Sequence, residues 1–452
     1  MFPAKEIVVI SDLHLAAERG KGLFQADREL ADFLKWVHEH ISPCLLILNG
    51  DVFDFLVDKQ QETAIDLDDA STQATDIAGN HKEVFEALSL LANSKNHELI
   101  ILGGNHDPEL SLPTVQKEIE RHLNLTCAHS GVRWMTNGEA ALFHVGEAKV
   151  LIEHGDQYDA WNWIDHEALR RVVCLASRNV AYHGTYRLPP GSQMVINRFN
   201  RLREQFPWLA TLQPLSPAML PLALEVILPT VAKTERKALL GAAREFSKYN
   251  LRSLVDTALR KLKPETEYWA EDDKERQILI EWLDQYERDE DTWGGIVDWT
   301  VEHVSRVLSR LRSVMATGLL RRVSSRDNFY SLDKQDDSVA PVARLMERGI
   351  DLVAHGHTHS AKSYLVGQGL YLNSGTWGQL TRLPDSQAPE NAWSDFLTGL
   401  KEGHADSFLY PTFIRISEEK GKTTATLFKW QYDRPEPQAT WYFANGRWQK
   451  EE

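Results

Sequence analysis

The chain of 452 residues is poor in cysteine. Its three, Cys44, Cys127 and Cys174, show no CxxC spacing. That argues against a disulfide framework and suits reduced thiols in a cytoplasmic protein. Long apolar runs are also missing. None reaches about 18 residues, so no transmembrane helix is expected. The opening strand-like run Ile7–Ile10 is too short for the apolar core of a signal peptide. Positive charge is in deficit as well, and a net charge of −15 argues against wholesale nucleic-acid binding. There is no internal repeat and no low-complexity tract.

What is present reads as an α/β protein. With 452 residues the chain exceeds what one core needs, so two domains or one domain with a large insertion is expected. Short apolar runs suit inner strands of a covered sheet, and each runs into chemically active residues. Ile7–Ile10 leads to Asp12-Leu13-His14. Leu45–Leu48 leads to Asn49-Gly50-Asp51-Val52-Phe53-Asp54. Leu99–Leu102 leads to Gly103-Gly104-Asn105-His106-Asp107. Val150–Ile152 leads to Glu153-His154-Gly155-Asp156, and Ile350–Val353 leads to Ala354-His355-Gly356-His357-Thr358-His359. Helices are expected at residues 27–39, around Val84, Leu88 and Leu91, and near 113–123. Residues 58–80, polar and acidic, read as a loop near the site mouth. Segments around 132–152 suggest a second, partly antiparallel sheet. Tyr371-Leu372-Asn373-Ser374-Gly375 repeats the strand-then-small-residue pattern, and Phe413–Ile416 with Ala425–Lys429 predict a terminal hairpin.

Five strand ends thus carry seven possible metal donors: Asp12, His14, Asp51, Asn105, His154, His357 and His359. Carboxylate, imidazole and amide oxygen without thiolate suit borderline or hard divalent ions and argue against a structural zinc site. Seven donors are too many for one ion but suit two if one carboxylate bridges. The Asp-x-His and His-x-His spacings would place both side chains on one side of an extended segment. Two ions about 3.5–4 Å apart can hold a hydroxide and clamp a phosphoryl group for in-line attack.

The order and content of these motifs resemble the calcineurin-like metallophosphoesterases. The resemblance covers about residues 1–158 and 346–430. It implies a four-layer α-β-β-α sandwich of two mixed sheets, interrupted by a helical insertion that forms a cap. The core would comprise residues 1–160 and 346–452, and the insertion residues 161–345. By the resemblance, Asp12, His14, Asp51 and His359 would hold one ion, and Asp51, Asn105, His154 and His357 the other. His106 would contact the phosphate and stabilise or protonate the leaving oxygen, with Asp54 orienting it. The implied cofactor is a pair of divalent ions, Mn²⁺ first, with Fe, Zn²⁺ or Mg²⁺ as alternatives. His355, Asp107 and Asp156 read as supporting groups, and Asn373, Ser374 and Gly375 as the site floor. Trp161 and Trp163 read as core packing in preference to a base-stacking pair.

The motifs define a reaction class and leave the substrate open. In arrangement the chain is similar to the bacterial UDP-2,3-diacylglucosamine pyrophosphohydrolase-like branch. It has His106 where that branch has Arg, and its insertion is much longer. The expected substrate is a small phosphoester with a phosphodiester or pyrophosphate bond, of nucleotide or sugar-nucleotide type. Arg187, Arg198, Arg201 and Arg203 around Leu188–Ser192 could bind its phosphates, although a solvated helix face explains them equally well. Residues 170–264 hold 16 basic and 5 acidic side chains, whereas 265–291 hold 12 acidic and 3 basic, so any anion-binding surface belongs to the first stretch. Val297, Val301, Val304, Leu308, Leu311 and Met315 follow a heptad spacing that reads as a helix-packing face. Three other readings stand beside the main one: a nuclease acting on DNA or RNA, a protein phosphatase, and a non-catalytic scaffold. Intact donors argue against the scaffold.

Overall fold

The computed structural model describes residues 2–3, 6–18, 22–57, 65–125, 131–182, 184–227, 308–419 and 421–451. The protein is a mixed α/β structure. An eight-stranded sheet runs, in order, Arg447–Lys450, Arg434–Ala444, Lys422–Gln431, Thr412–Glu419, Glu6–Ile10, Cys44–Asn49, His97–Leu102 and Val132–Met135. Its last four strands are parallel, and its first four are antiparallel. A six-stranded sheet runs Phe2–Pro3, Ala141–Val145, Ala148–Ile152, Leu352–His355, Gly369–Asn373 and Lys362–Val366. In it Ala148–Ile152, Leu352–His355 and Gly369–Asn373 are parallel neighbours.

Strand alternation explains the packing. Ile7, Val9, Ile47 and Ile100 face Phe143, Val150, Ile152, Leu352 and Leu372 in one apolar cluster drawn from both sheets. The alternate residues Val8, Ile10, Leu46, Leu48 and Ile101 pack against helices. Those helices are Asp27–His40, Leu67–Asn80, Lys82–Ala92 and Pro113–His122. Because both faces are covered, these strands read as continuous apolar runs, and each fully buried Val, Ile or Leu contributes about 1.5–3 kcal/mol. On the six-stranded sheet, Leu151, Val353 and Tyr371 cluster with Val342 of the helix Val339–Glu347.

Contacts divide the chain into two compact units. One comprises residues 1–204, 328–380 and 407–452, and the other residues 205–327 and 381–406. Within the second unit, helices Leu215–Leu222, Leu308–Arg326 and Glu390–Lys401 are described. Trp208 Nε1 donates to Leu400 O at 2.9 Å, and Lys401 Nζ pairs with the buried Glu225 at 2.6 Å. No helix among the described residues is long and apolar enough to cross a membrane.

Several expectations are corrected. Most of the polar stretch 58–80 is helix, not loop. Asp66 caps Leu67–Asn80 by accepting from the amides of Asp68 and Asp69, and Ala70, Ala74, Ile77 and Ala78 form its buried face. Small alanines gave too weak an apolar signal among the Asp, Thr and Gln residues. Val132–Met135 joins the eight-stranded sheet, not the second one. The terminal hairpin is extended by Arg434–Ala444 and Arg447–Lys450. Proline is tolerated in strands at bulges, and the register shifts at Leu427/Phe428, beside Pro437. Trp163 is 55% exposed, so it is not core packing. Val297, Val301 and Val304, the acidic stretch 265–291 and Cys127 lie outside the described residues.

Candidate metal centre

The parallel strands of both sheets deliver the functional side chains from their carboxyl ends, where α/β sheets place ligands. Backbone bonds lace the first two loops together. The amide of Asp12 donates to Gly50 O at 3.1 Å, and that of His14 to Asp51 O at 2.9 Å. Between the loops from the six-stranded sheet, Gly356 N donates to His154 O at 3.0 Å. Asp12 ties the two sets, because the amide of His357 donates to both its carboxylate oxygens at 3.1 and 3.0 Å.

The backbone at the donors is not extended, contrary to the expectation for Asp-x-His and His-x-His. Asp12, His14, Asp51, His357 and His359 all have left-handed φ, between 49° and 66°. Non-glycine residues rarely adopt this region, and such strain gathers at functional sites. Close approach requires glycines alongside. A Cβ on Gly104 would meet Asp51 N at 2.6 Å and His154 Cδ2 at 2.9 Å.

Among the described residues, three groups of side chains bring donor atoms within 4.8 Å of one another: Asp12, His14, Asp51 and His359; Asp51, His154 and His357; and His14, Asp54 and His106. Asp51 is common to the first two. His14 Nε2 lies 3.0 Å from His359 Nε2 and 3.9 Å from Asp51 Oδ2. His359 Nε2 is 3.4 Å from Asp12 Oδ1, and His154 Nε2 is 3.4 Å from Asp51 Oδ2. Donors at about 2.0–2.2 Å from a common ion stand about 3–3.5 Å apart, so this spacing fits metal coordination. Asn105 Oδ1, His154 Nε2 and His357 Nδ1 are buried without a hydrogen-bond partner. Such atoms are costly to bury unless something completes them, and a cation does. His154 Nδ1 lies 2.8 Å from Asn49 O, which accepts from it, so Nε2 is the atom left to coordinate. The residues fit the divalent metal binding that the donor set implies.

The electrostatics follow from burial and crowding. Burial is the largest influence on Asp12 and, with Asp51 beside it, raises its carboxyl above the usual value. Asp51 is also pushed up by burial, but His154, His106 and His14 outweigh that and hold it well below the usual range. Burial and His14 push His359 well below the ordinary imidazole value, which leaves its lone pair free.

Asp54 and His106 form the adjoining group. Asp54 Oδ1 lies 3.3 Å from His106 Nδ1. It also accepts the amides of Leu56 and Val57 at 3.0 and 3.2 Å, so it closes the following turn while it contacts His106. Burial favours neutral His106, yet Asp54 and Asp51 overcome it and the imidazolium is pushed up to about 9. Of the supporting groups, Asp107 accepts from the amides of Val52 and Gly104 at 2.8 and 2.6 Å. His355 Nε2 lies 3.1 Å from Glu153, which also accepts from Tyr158. Asp156 is buried. Asn373 donates to Gly356 O, and Ser374 pairs with Ser11 at 2.7 Å.

Sequence reasoning passed over Asp159, whose Oδ2 is 3.4 Å from His357 Nε2. It also passed over Ser11, which donates to Asp12, and Thr376, which donates to Asp12 O at 2.8 Å. Only the position of Asp159 just after His154-Gly155-Asp156 offered a signal. Arg203, one of the four arginines, acts electrostatically on Asp54 and His106.

Residues 5–211 match the sequence profile of the calcineurin-like phosphoesterase family. This span holds the donors from Asp12 to His154, and the Gly356–His359 motif lies beyond it. No curated protein matches the sequence. The match supports a metallophosphoesterase, a hydrolase acting on phosphoester bonds. The clustered Asp and His side chains could supply the metal donors such an enzyme needs.

Proposed function

We propose that the protein is a two-metal phosphoesterase that hydrolyses a phosphodiester or pyrophosphate bond in a small nucleotide or sugar-nucleotide type substrate. The observation that carries this reading is Asp51, which belongs to two separate donor groups at once. One ion would be held by Asp12, His14, Asp51 and His359, and the other by Asp51, Asn105, His154 and His357. Mn²⁺ is the proposed metal. When bound, such a pair supplies Lewis acidity and lowers the pKa of water.

The chain's own residues then do the following. Asp51 joins the two donor groups and accepts the amide of His106 at 2.8 Å, which fixes the loop that carries the imidazole. Asp54 orients His106 through Nδ1, so Nε2 is the atom turned to substrate. His106 holds a proton there and gives it to the leaving oxygen. Residues 1–160 and 346–452 form a four-layer α-β-β-α core in this reading, and the insertion 161–345 selects the substrate.

The test is turnover of bis-p-nitrophenyl phosphate by purified protein with added Mn²⁺. Wild type should turn over, and Asp51→Asn should lose at least a thousandfold. Equal rates in the two proteins would reject the reading.

A further inference from the structure

Among the described residues, two guanidinium nitrogens of Arg203 have no acceptor. The helical run Pro190–Gln205 is pinned to the loops around the donors. Gly191 N donates to Trp161 O at 2.8 Å, Ser192 Oγ reaches Asn105 O at 3.5 Å, and Asn200 Nδ2 donates to Leu56 O at 2.8 Å. Ser192, Ile196 and Phe199 are buried along the run, so one helix face is turned inward. Arg203 stands one turn beyond Asn200, on that face. Its Nε and Nη1 atoms are buried and donate to nothing among the described residues. Its charge is felt at both Asp54 and His106.

A guanidinium carries five N–H donors and cannot shed its charge. Burying it with donors unmet is unfavourable unless an anion arrives to meet them. The Asp54 charge acts on Arg203, but Asp54 does not hydrogen-bond these two nitrogens. The unmet Nε and Nη1 donors suit an incoming anion on the His106 side of the site.

We propose that Arg203 is a specificity-determining residue that binds an anionic group on the leaving portion of the substrate. The proposal rests on the phosphoesterase reading for the sense of "leaving portion". It selects phosphoesters whose leaving group carries its own phosphate or carboxylate. The planar fork of Arg matches either anion, whereas Lys offers a point charge without that geometry.

Binding is measured by calorimetric titration of the Mn²⁺-loaded full chain with three probes. Inorganic phosphate has no second anionic group, imidodiphosphate adds a second phosphoryl group, and phosphonoacetate adds a carboxylate. Wild type should bind at least one of the two-anion probes tighter than phosphate. Arg203→Gln should weaken that probe tenfold or more and phosphate less than threefold, and Arg203→Lys should recover part of the loss. Whichever probe shows the effect identifies the anion. Equal weakening of all three probes, or none, overturns the proposal. If Arg203→Gln does not fold, Arg203→Lys decides alone, and unchanged selectivity in it overturns the proposal. Wild type inactive both on bis-p-nitrophenyl phosphate and on pyrophosphate, whose leaving group is itself a phosphate, would reject the phosphoesterase reading, and the titrations would still judge Arg203.

Discussion

Asp54 Oδ1 lies 3.3 Å from His106 Nδ1, while Asp54 Oδ2 lies 3.5 Å from His14 Nδ1. One buried carboxylate therefore steadies both a proposed metal donor and the proposed proton donor. Burial alone would raise Asp54, but His106 and His14 hold it well below the usual carboxylate range, so it stays ionised at any working pH. Asp54→Asn keeps an oxygen for the amides of Leu56 and Val57 and removes the charge. The expected result is a folded protein whose kcat falls about 10–100-fold, the usual loss when an orienting partner is removed. KM should change little. Asp54→Asn with His106→Gln should be no worse than His106→Gln alone, because the two act as a unit. Steady-state kinetics of the three variants check this, and additive losses would count against it.

Gly104→Ala tests the crowding around Asp51. The new Cβ would press on Asp51 N at 2.6 Å and on His154 Cδ2 at 2.9 Å. The first contact is with backbone, which cannot swing aside. The variant should be less stable by about 1–3 kcal/mol, in the range of overpacking changes, and should bind fewer ions per chain. Thermal melts together with metal content by mass spectrometry give both readouts. Full metal content in a protein of unchanged melting temperature would refute the account.

The strand ends were legible because inner strands with both faces covered make uninterrupted apolar runs, as in Leu45–Leu48 and Leu99–Leu102. The side chains that converge were also legible, since Asp12, His14, Asp51, His154, His357 and His359 lie at those ends in sequence. The way they converge was not. Left-handed φ at five of these residues has no compositional signature, because Asp and His stand where glycine would be expected. The helix Leu67–Asn80 was hidden because its buried face is mostly alanine. Arg203 could not be singled out among four arginines. Its distinction is the pinning of its helix by Ser192 and Asn200, contacts that span 87 and 144 positions.

Far from the donors, His97 links stability to pH. It is 6% exposed. Its Nε2 lies 3.2 Å from His38 O, which accepts, and its Nδ1 is buried without a partner. Burial is the main reason its pKa lies below 6.5. A histidine depressed on folding binds fewer protons in the native than in the unfolded chain. Its stabilisation is complete above the unfolded value and is lost as pH falls below about 6.5. His97→Gln keeps an N–H for His38 O and does not titrate. The melting temperature of this variant should fall less between pH 7.5 and pH 5.5 than that of wild type. An identical fall would show that His97 does not contribute.

Metal removal should expose the conflict that the donors carry. Asp12 and Asp51 are buried within reach of each other: burial and Asp51 raise the Asp12 carboxyl, while His154, His106 and His14 hold Asp51 down. Divalent ions would give both carboxylates stronger partners, and they bind only the folded chain. A ligand at 100 times its Kd stabilises by about 2.7 kcal/mol per site, which raises the melting temperature by several degrees in a domain of this size. Chelation should therefore lower the melting temperature by several degrees, and Mn²⁺ should restore it. Ion binding should also release protons, measurable in weakly buffered solution. Asp51→Asn removes the carboxylate shared by both groups, so its melting temperature should respond to neither chelator nor Mn²⁺. A wild-type protein equally indifferent to both, with no proton release, would mean that the cluster holds its charges without metal.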